Sequence, residues 1–95
     1  MADTTLFQAA VRRVGLRRAG QVMAFMVAWE AARQELGRSP ANVEEYAEHW
    51  RQPVRSAYRE LARFRETFPA ETTPDRLLDQ ALAQRVGSLG QLRVA

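Results

Sequence analysis

Residues 39–68 read SPANVEEYAEHWRQPVRSAYRELARFRETF, and this stretch decides how the rest of the chain is interpreted. Asn42, followed three residues later by Glu45, matches the pattern of a helix start. Pro53 is tolerated in the first turn of a helix but not in its interior, so it separates one helix from the next. The sequence therefore predicts two helices joined by a tight turn, over 42–50 and 53–67.

The rest of the chain shows three more helical patterns and no convincing strand. Apolar residues recur at three- and four-residue steps, which is typical of helices that bury one face. Gly15 and Gly20 each weaken a helix by about 1 kcal/mol relative to alanine, so we expect a bend or break there. Gly37 is a natural C-terminal stop. The three patterns predict helices over 4–14, 21–36 and 74–86.

The predicted core has two main contributors. The longest apolar face belongs to 21–36, with Val22, Phe25, Met26, Trp29, Ala32 and Leu36. The helix over 53–67 adds a stripe made of Val54, Ala57, Leu61, Phe64 and Phe68. We therefore expect an all-α fold, a compact bundle of four to five helices.

Composition removes several classes of function. The 95 residues, 46% hydrophobic and 26% charged, suit one domain with a modest core. With no cysteine, one histidine and no phosphate-binding glycine motif, the chain offers no metal or cofactor site and no nucleophile–base pair, so we expect no enzyme and no small-molecule substrate. The longest apolar run, Val22 to Trp29, is too short to span a bilayer, and the start lacks the features of a signal peptide. A cytoplasmic protein is the expectation.

The positive charge is arranged unevenly. All fourteen basic residues are arginine and the net charge is +3. A coding bias toward high GC content explains the absence of lysine, although arginine is also the better bidentate partner for phosphate and for guanine. Residues 51–65 hold five arginines against one glutamate, whereas 42–50 holds three glutamates and no arginine. Three of these arginines follow one another at four-residue spacing: Arg55, Arg59 and Arg63.

A short helix, a sharp turn and a basic second helix are how a helix-turn-helix protein presents side chains to the DNA major groove. Ala47 is the small residue expected where the two helices cross. Arg55 and Arg59, with Tyr58 beside them, are predicted to reach bases, while Ser56, Arg51 and Arg63 are predicted to contact the DNA backbone. Pro53 and Val54 lie at the start of this helix, closest to the groove. The alternative interpretation is that these arginines form an ordinary solvent-exposed helix face.

The same residues resemble the small helix-turn-helix proteins of actinobacterial genomes and their phages. The resemblance is carried by Val43-Glu44-Glu45-Tyr46-Ala47-Glu48-His49-Trp50, then Ser56-Ala57-Tyr58-Arg59-Glu60 and Phe64-Arg65-Glu66-Thr67-Phe68-Pro69. It implies binding of double-stranded DNA, usually for control of transcription, and a place on the nucleoid when bound. Arg51 stands where glycine is usual and Gln52 where a hydrophobic residue is usual, so we expect a wider turn.

On this interpretation 1–95 is one domain, with N-terminal helices in 1–38, the helix-turn-helix in 39–69 and a C-terminal helix and tail in 70–95. One such module covers half of a binding site, so we expect a homodimer or a larger protein partner. The interface is expected either on the 74–86 helix or on the apolar surplus of Val22, Met23, Phe25, Met26 and Val27.

A second basic surface consists of Arg12, Arg13, Arg17 and Arg18. It is equally consistent with an arm that contacts phosphates, a surface for an acidic protein, and the outer face of a first helix. If it binds a protein, the chain is instead a helical adaptor, for instance a regulator of polymerase or an antitoxin-like protein, built on the same scaffold.

Overall fold

The computed structural model describes residues 2–81 and 83. Four helices follow one another: α1 (Ala2–Val14), α2 (Leu16–Leu36), α3 (Val43–His49) and α4 (Val54–Thr67). A fifth helical segment covers 75–81 and 83, and its predicted end at Val86 lies outside the described residues. No strand occurs in the described part of the chain, so the all-α prediction is confirmed with five helices. None of the helices in 2–81 and 83 is both long and apolar enough to cross a membrane.

The break between the first two helices falls at Gly15 alone. Gly15 has φ 88, whereas Gly20 lies inside α2. The prediction that α2 starts at Gln21 was therefore wrong by more than a turn. Ala19, one residue before Gly20, is fully buried, and packing of this turn outweighs the cost of about 1 kcal/mol that a helical glycine carries. At the other end, Gly37 stops α2 with φ 74, as predicted.

Aromatic side chains fill the core between α2, α3 and α4. Phe25 lies with its ring centroid 5.3 Å from that of Tyr46 and 6.1 Å from that of Phe64. Trp29 stacks on Tyr46 at 5.2 Å. All four rings are almost completely buried, so α2 is the centre of the core, as its apolar pattern predicted.

The predicted core residue Val54 and the nearby Trp50 are less buried than the core around them. Val54 is 41% exposed, because it occupies the first position of α4, before the buried stripe of Ala57, Leu61 and Phe64 begins. Trp50 is only half-buried, and its indole N–H donates to the carbonyl oxygen of Ala28 at 3.2 Å.

The start of α3 follows the sequence signal closely. The Asn42 side chain accepts a hydrogen bond from the backbone N–H of Glu45 at 2.8 Å. The Glu45 carboxylate in turn accepts from the backbone N–H of Ala41 at 2.6 Å and from Arg38 at 2.6 and 2.7 Å. These hydrogen bonds from Arg38 and Ala41 lower the pKa of Glu45 to about 2. The start of α3 is thus capped from within the chain, through the N–H of Glu45.

The turn after α3 is closed by two backbone hydrogen bonds. The N–H of Gln52 donates to Ala47 at 3.0 Å, and the N–H of Arg51 donates to Glu48 at 3.1 Å. This pair of hydrogen bonds is typical of a helix end at which the residue after the C-cap adopts the left-handed conformation. Glycine adopts that conformation most easily. Arg51 adopts it, with φ 53. The turn is consequently tight rather than wide, and an arginine occupies the position that favours glycine.

We expect Arg51→Gly to stabilise the protein. The left-handed conformation costs a non-glycine residue about 1–2 kcal/mol, and the greater freedom of glycine in the unfolded chain offsets part of the gain, leaving about 0.5–1 kcal/mol. Urea unfolding followed by circular dichroism measures the difference. Arg59→Gly is the matched control, because in the middle of α4 the same substitution should destabilise by about 1 kcal/mol. Equal destabilisation by both changes would contradict the role given to the turn.

Asp75 ties the start of the fifth helical segment to α2 and to the segment before α3. Its Oδ1 accepts hydrogen bonds from Trp29 Nε1 at 3.0 Å, Arg33 Nη1 at 3.2 Å and Ser39 Oγ at 2.7 Å, and its Oδ2 accepts from Thr73 Oγ1 at 2.6 Å. Burial by itself would raise the pKa of Asp75, but the hydrogen bonds from Thr73, Ser39 and Trp29 and the charge of Arg33 together lower it.

Arg33 is held by three acids at once. Besides Asp75, its guanidinium lies 2.6 Å from Asp79 and 3.2 Å from Glu30. The Arg33 side chain is mostly buried, so its charge depends on these partners. Arg33 and Asp75 thereby hold the fifth helical segment against α2, together with the five side chains that contact them: Trp29, Glu30, Ser39, Thr73 and Asp79.

Asp75→Asn should destabilise the protein by about 1–2 kcal/mol at pH 7, because hydrogen bonds to a charged group contribute more free energy than hydrogen bonds to a neutral one. The effect stays moderate because this carboxylate keeps some contact with water. The pKa of Asp75 is lower in the folded than in the unfolded chain, so its stabilisation is complete at neutral pH and is lost as the pH falls through the folded-state pKa. Urea midpoints between pH 7 and pH 3 should therefore fall less steeply in Asp75→Asn than in the wild type. Asp79→Asn is the control, because that side chain is mostly exposed and should change the midpoint little. Parallel pH curves for wild type and Asp75→Asn would contradict the assignment.

Candidate nucleic-acid interface

The outward face of α4 carries the arginines that the sequence singled out. Residues on a helix are separated by about 100° of rotation, so Arg55 and Arg59 lie on the side opposite Ala57, Leu61 and Phe64. Both arginines are exposed, while the three apolar residues are buried. Burial of one side of α4 therefore turns this pair of arginines toward solvent.

Four arginines share a second property, which is that their side chains have no hydrogen-bond or ion-pair partner among the described residues: Arg51, Arg55, Arg59 and Arg63. Elsewhere in the described chain the guanidiniums of Arg33, Arg38 and Arg76 are engaged by carboxylates, and Arg65 Nε donates to the Thr72 carbonyl at 2.8 Å. The arginines of the turn and of the outward face of α4, called here the α4 basic face, thus lack the counter-charge that Arg18, Arg33, Arg38 and Arg76 have. Within the described part of the chain they share this property with Arg12, Arg13 and Arg17 of the second basic surface.

The two helices of this region also differ at their N-termini. The first turn of α3 has a side-chain cap from Asn42 and holds Glu44 and Glu45. The first turn of α4 follows Pro53, has no side-chain cap and contains no acidic residue. The start of a helix carries partial positive charge and free N–H groups. At α4 the N–H of Ser56 donates to the Pro53 carbonyl at 3.0 Å, while the N–H groups of Val54 and Arg55 stay available to an external anion, next to the Arg55 guanidinium.

Tyr58 is the residue of the predicted site that has an internal partner. It is 48% exposed, and its hydroxyl donates to the carboxylate of Glu44 in the first turn of α3. This hydrogen bond raises the pKa of Tyr58 and lowers that of Glu44. The phenol is therefore directed toward α3, and Glu44 adds one negative charge at the edge of the α4 basic face.

The remaining predicted contacts lie at the start of α4. Pro53 and Val54 are exposed and Ser56 is half-buried. Together with Arg51 in the turn, they surround the N-terminus of α4. The eight predicted site residues therefore lie on the turn and on the first two and a half turns of one helix.

The second basic surface is divided by the fold. Arg12 and Arg13 line an open cavity of about 510 Å³ beside Phe68 and Leu77. Arg18 lies 3.6 Å from Glu66 at the far end of α4, whereas Arg17 is exposed and has no partner among the described residues.

The distance along α4 from Arg55 to Glu66 is about 16 Å, at 1.5 Å per residue. The second basic surface is thus separated from the N-terminus of α4 by most of the length of that helix.

Two features of the site were not found from the sequence. Glu44 looks like an ordinary solvated glutamate, and only the packing of α3 on α4 reveals its contact with Tyr58. The uncapped start of α4 could have been found, because the residues before and after Pro53 include no capping or acidic side chain. The described residues contain no cluster of three or more histidine or acidic side chains suited to a metal ion.

Comparisons with known proteins leave the site to be judged on its geometry. The chain matches no protein-family model, no curated protein and no solved structure.

Proposed function

We propose that α3, the turn at Arg51 and α4 form a helix-turn-helix that binds double-stranded DNA, and that the protein regulates transcription by inserting α4 into the major groove. The observation that carries this proposal is the α4 basic face, in which four arginines gathered on one turn and one helix face lack a counter-charge among the described residues. Like charges four residues apart on a helix repel by about 0.2–0.5 kcal/mol per pair. The attraction of these arginines to an anionic partner would offset that repulsion.

The dimensions of α4 suit this partner. Its 14 residues span about 21 Å, and a helix with its side chains is about 10–12 Å across, close to the width of the major groove. Ala47 and Ala57 are both fully buried, which allows α3 and α4 to approach closely. The exposed start of α4 offers N–H groups to a phosphate.

Within this arrangement the arginines take different roles. Arg55 and Arg59 reach base edges, where bidentate contact with guanine favours one base over another. Arg51 and Arg63 neutralise phosphates, and Val54 offers an apolar surface to a thymine methyl group. Tyr58 acts mainly by holding Glu44, since its hydroxyl already has an acceptor.

Replacing Arg55 or Arg59 by alanine should relax sequence preference, because each good bidentate contact discriminates by about 1–3 kcal/mol. Replacing Arg63 by alanine should weaken binding to all sequences alike and reduce the salt slope by about one. Fluorescence anisotropy with labelled duplexes, first a mixed pool and then a selected site, measures both quantities across a salt series.

Arg65→Ala is the matched control on the same helix, because the Arg65 side chain is bound to Thr72 rather than free. It should leave affinity and salt slope almost unchanged. If the wild type fails to bind any duplex at low salt, DNA binding is excluded. The helical adaptor then becomes the better explanation, and Arg12, Arg13 and Arg17 become its expected contact residues.

Removing the charge of Glu44 tests the electrostatics of the same face. Glu44→Gln keeps an acceptor for the Tyr58 hydroxyl but removes a negative charge from the edge of the α4 basic face. We therefore expect it to raise the affinity for every duplex, most strongly at low salt, where charges are least screened. Glu48→Gln, on the exposed side of α3, is the control. Equal effects of the two substitutions would show that only net charge matters and that the position of Glu44 does not.

A further inference from the structure

The side of α2 that points away from the core is free of charge. Leu16, Gly20, Met23, Ala24, Val27 and Ala31 succeed one another along it at three- and four-residue steps. Leu16 is 67% exposed and Val27 is 68% exposed, more than any other large hydrophobic residue in the described chain. Adding a Cβ atom at Gly20 would meet no neighbouring atom within 4 Å. This surface, called here the outer α2 face, is apolar and largely exposed, with Met23 and Ala31 partly buried.

The expected dimer interface has to be revised in this light. Val22, Phe25 and Met26 are buried in the core, so the prediction that they supply an interface was wrong. Val27 and Met23 are the members of that set that remain accessible, and both lie on the outer α2 face.

We infer that the outer α2 face pairs with the same face of a second copy, with the two α2 helices antiparallel. The charged residues at the edge of the face favour a second copy of the chain as the partner. Arg17 and Glu35 are separated by 18 residues, which is five helical turns, so they lie on the same edge of the face at opposite ends. In an antiparallel pair each Arg17 meets the partner's Glu35, whereas in a parallel pair the two residues would lie at opposite ends of the interface, about 27 Å apart.

Both members of this pair are available. Arg17 has no partner among the described residues, and the side chain of Glu35 is 57% exposed. One carboxylate oxygen of Glu35 lies 2.9 Å from His49 Nε2, which leaves the other oxygen for an arginine. The two helix dipoles also favour the antiparallel arrangement.

The size of the face sets the strength of the pairing. From Leu16 to Ala31 the face is about 22 Å long. Contact through one helix pair of this length buries less than the roughly 1,200–2,000 Å² of a standard stable interface. The dimer is accordingly a weak one.

Such a dimer has a defined geometry for DNA, and this part rests on the proposed function. Phe25 of α2 contacts Phe64 of α4 across the core, so the outer α2 face and the α4 basic face point in roughly opposite directions. Pairing through α2 therefore turns the two α4 basic faces outward on opposite sides. The dimer would hold two duplexes together rather than read two half-sites on one duplex.

Sedimentation velocity from micromolar to millimolar protein, without DNA, tests the pairing. The wild type should shift from monomer to dimer, and Val27→Glu should stay monomeric while keeping the wild-type circular dichroism. Gln8→Glu, exposed on α1 and away from the outer α2 face, should dimerise normally. A wild type that is monomeric throughout, or a dimer indifferent to Val27→Glu, overturns the proposal.

A charge exchange tests the antiparallel arrangement. Arg17→Glu and Glu35→Arg should each weaken the dimer at least several-fold, and the double variant Arg17→Glu/Glu35→Arg should restore it. Glu35→Gln keeps a side-chain oxygen for His49 but removes the charge that pairs with Arg17. It therefore distinguishes loss of the ion pair from disturbance of the contact with His49. Failure of the double variant to recover while both single variants are weakened would rule out the antiparallel contact.

Capture of one duplex by another tests the DNA geometry. Beads carrying one duplex should retain a second, labelled duplex when wild-type protein is present. Val27→Glu should bind a single duplex with wild-type affinity by anisotropy yet retain no second one. If no duplex is bound at all, the proposed function fails while the sedimentation result still stands. If the wild type binds DNA and dimerises but retains no second duplex, the opposite orientation of the two basic faces is wrong.

Discussion

Burial of Trp29 is the constraint on which the rest of the structure depends. Its ring is enclosed by Phe25 and Tyr46, which join α2 to α3. Its indole N–H cannot be buried without an acceptor, and Asp75 supplies one at 3.0 Å. A single side chain thus requires both the aromatic core on one side and the fifth helical segment on the other. The charge on Asp75 then requires Arg33 nearby, which explains why a mostly buried arginine is present in so small a core.

Local signals in the sequence predicted most of the elements. Asn42 and Glu45 fixed the start of α3, Gly37 the end of α2 and Pro53 the start of α4, because each acts through backbone geometry or hydrogen bonds within a few residues. Gly20 was misread, since its effect on the helix is outweighed by packing of the neighbouring Ala19. The left-handed turn residue could not be recognised, because Arg51 is not a residue type that favours it.

The residues of the candidate site could be predicted from the sequence, but whether each arginine has a counter-charge could not. The spacing of Arg55 and Arg59 placed them on one helix face, and the structure agrees that this face is exposed. Which arginines are already neutralised depends on contacts between distant parts of the chain, such as Arg33 with Asp75 and Arg18 with Glu66. No local pattern contains that information. The helix-turn-helix assignment and the role of the second basic surface stay predictions.

The contact between Asp75 and Trp29 also limits how far the chain can be reduced to a minimal fragment. A chain shortened before Thr73 would retain α1 to α4 and every residue of the α4 basic face. It would nevertheless leave the Trp29 indole N–H in an apolar core without its acceptor, and it would leave Arg33 with Glu30 as its remaining carboxylate. The helices that carry the arginines should therefore lose stability when separated from the segment that follows them, even though that segment contributes no side chain to the surface they present.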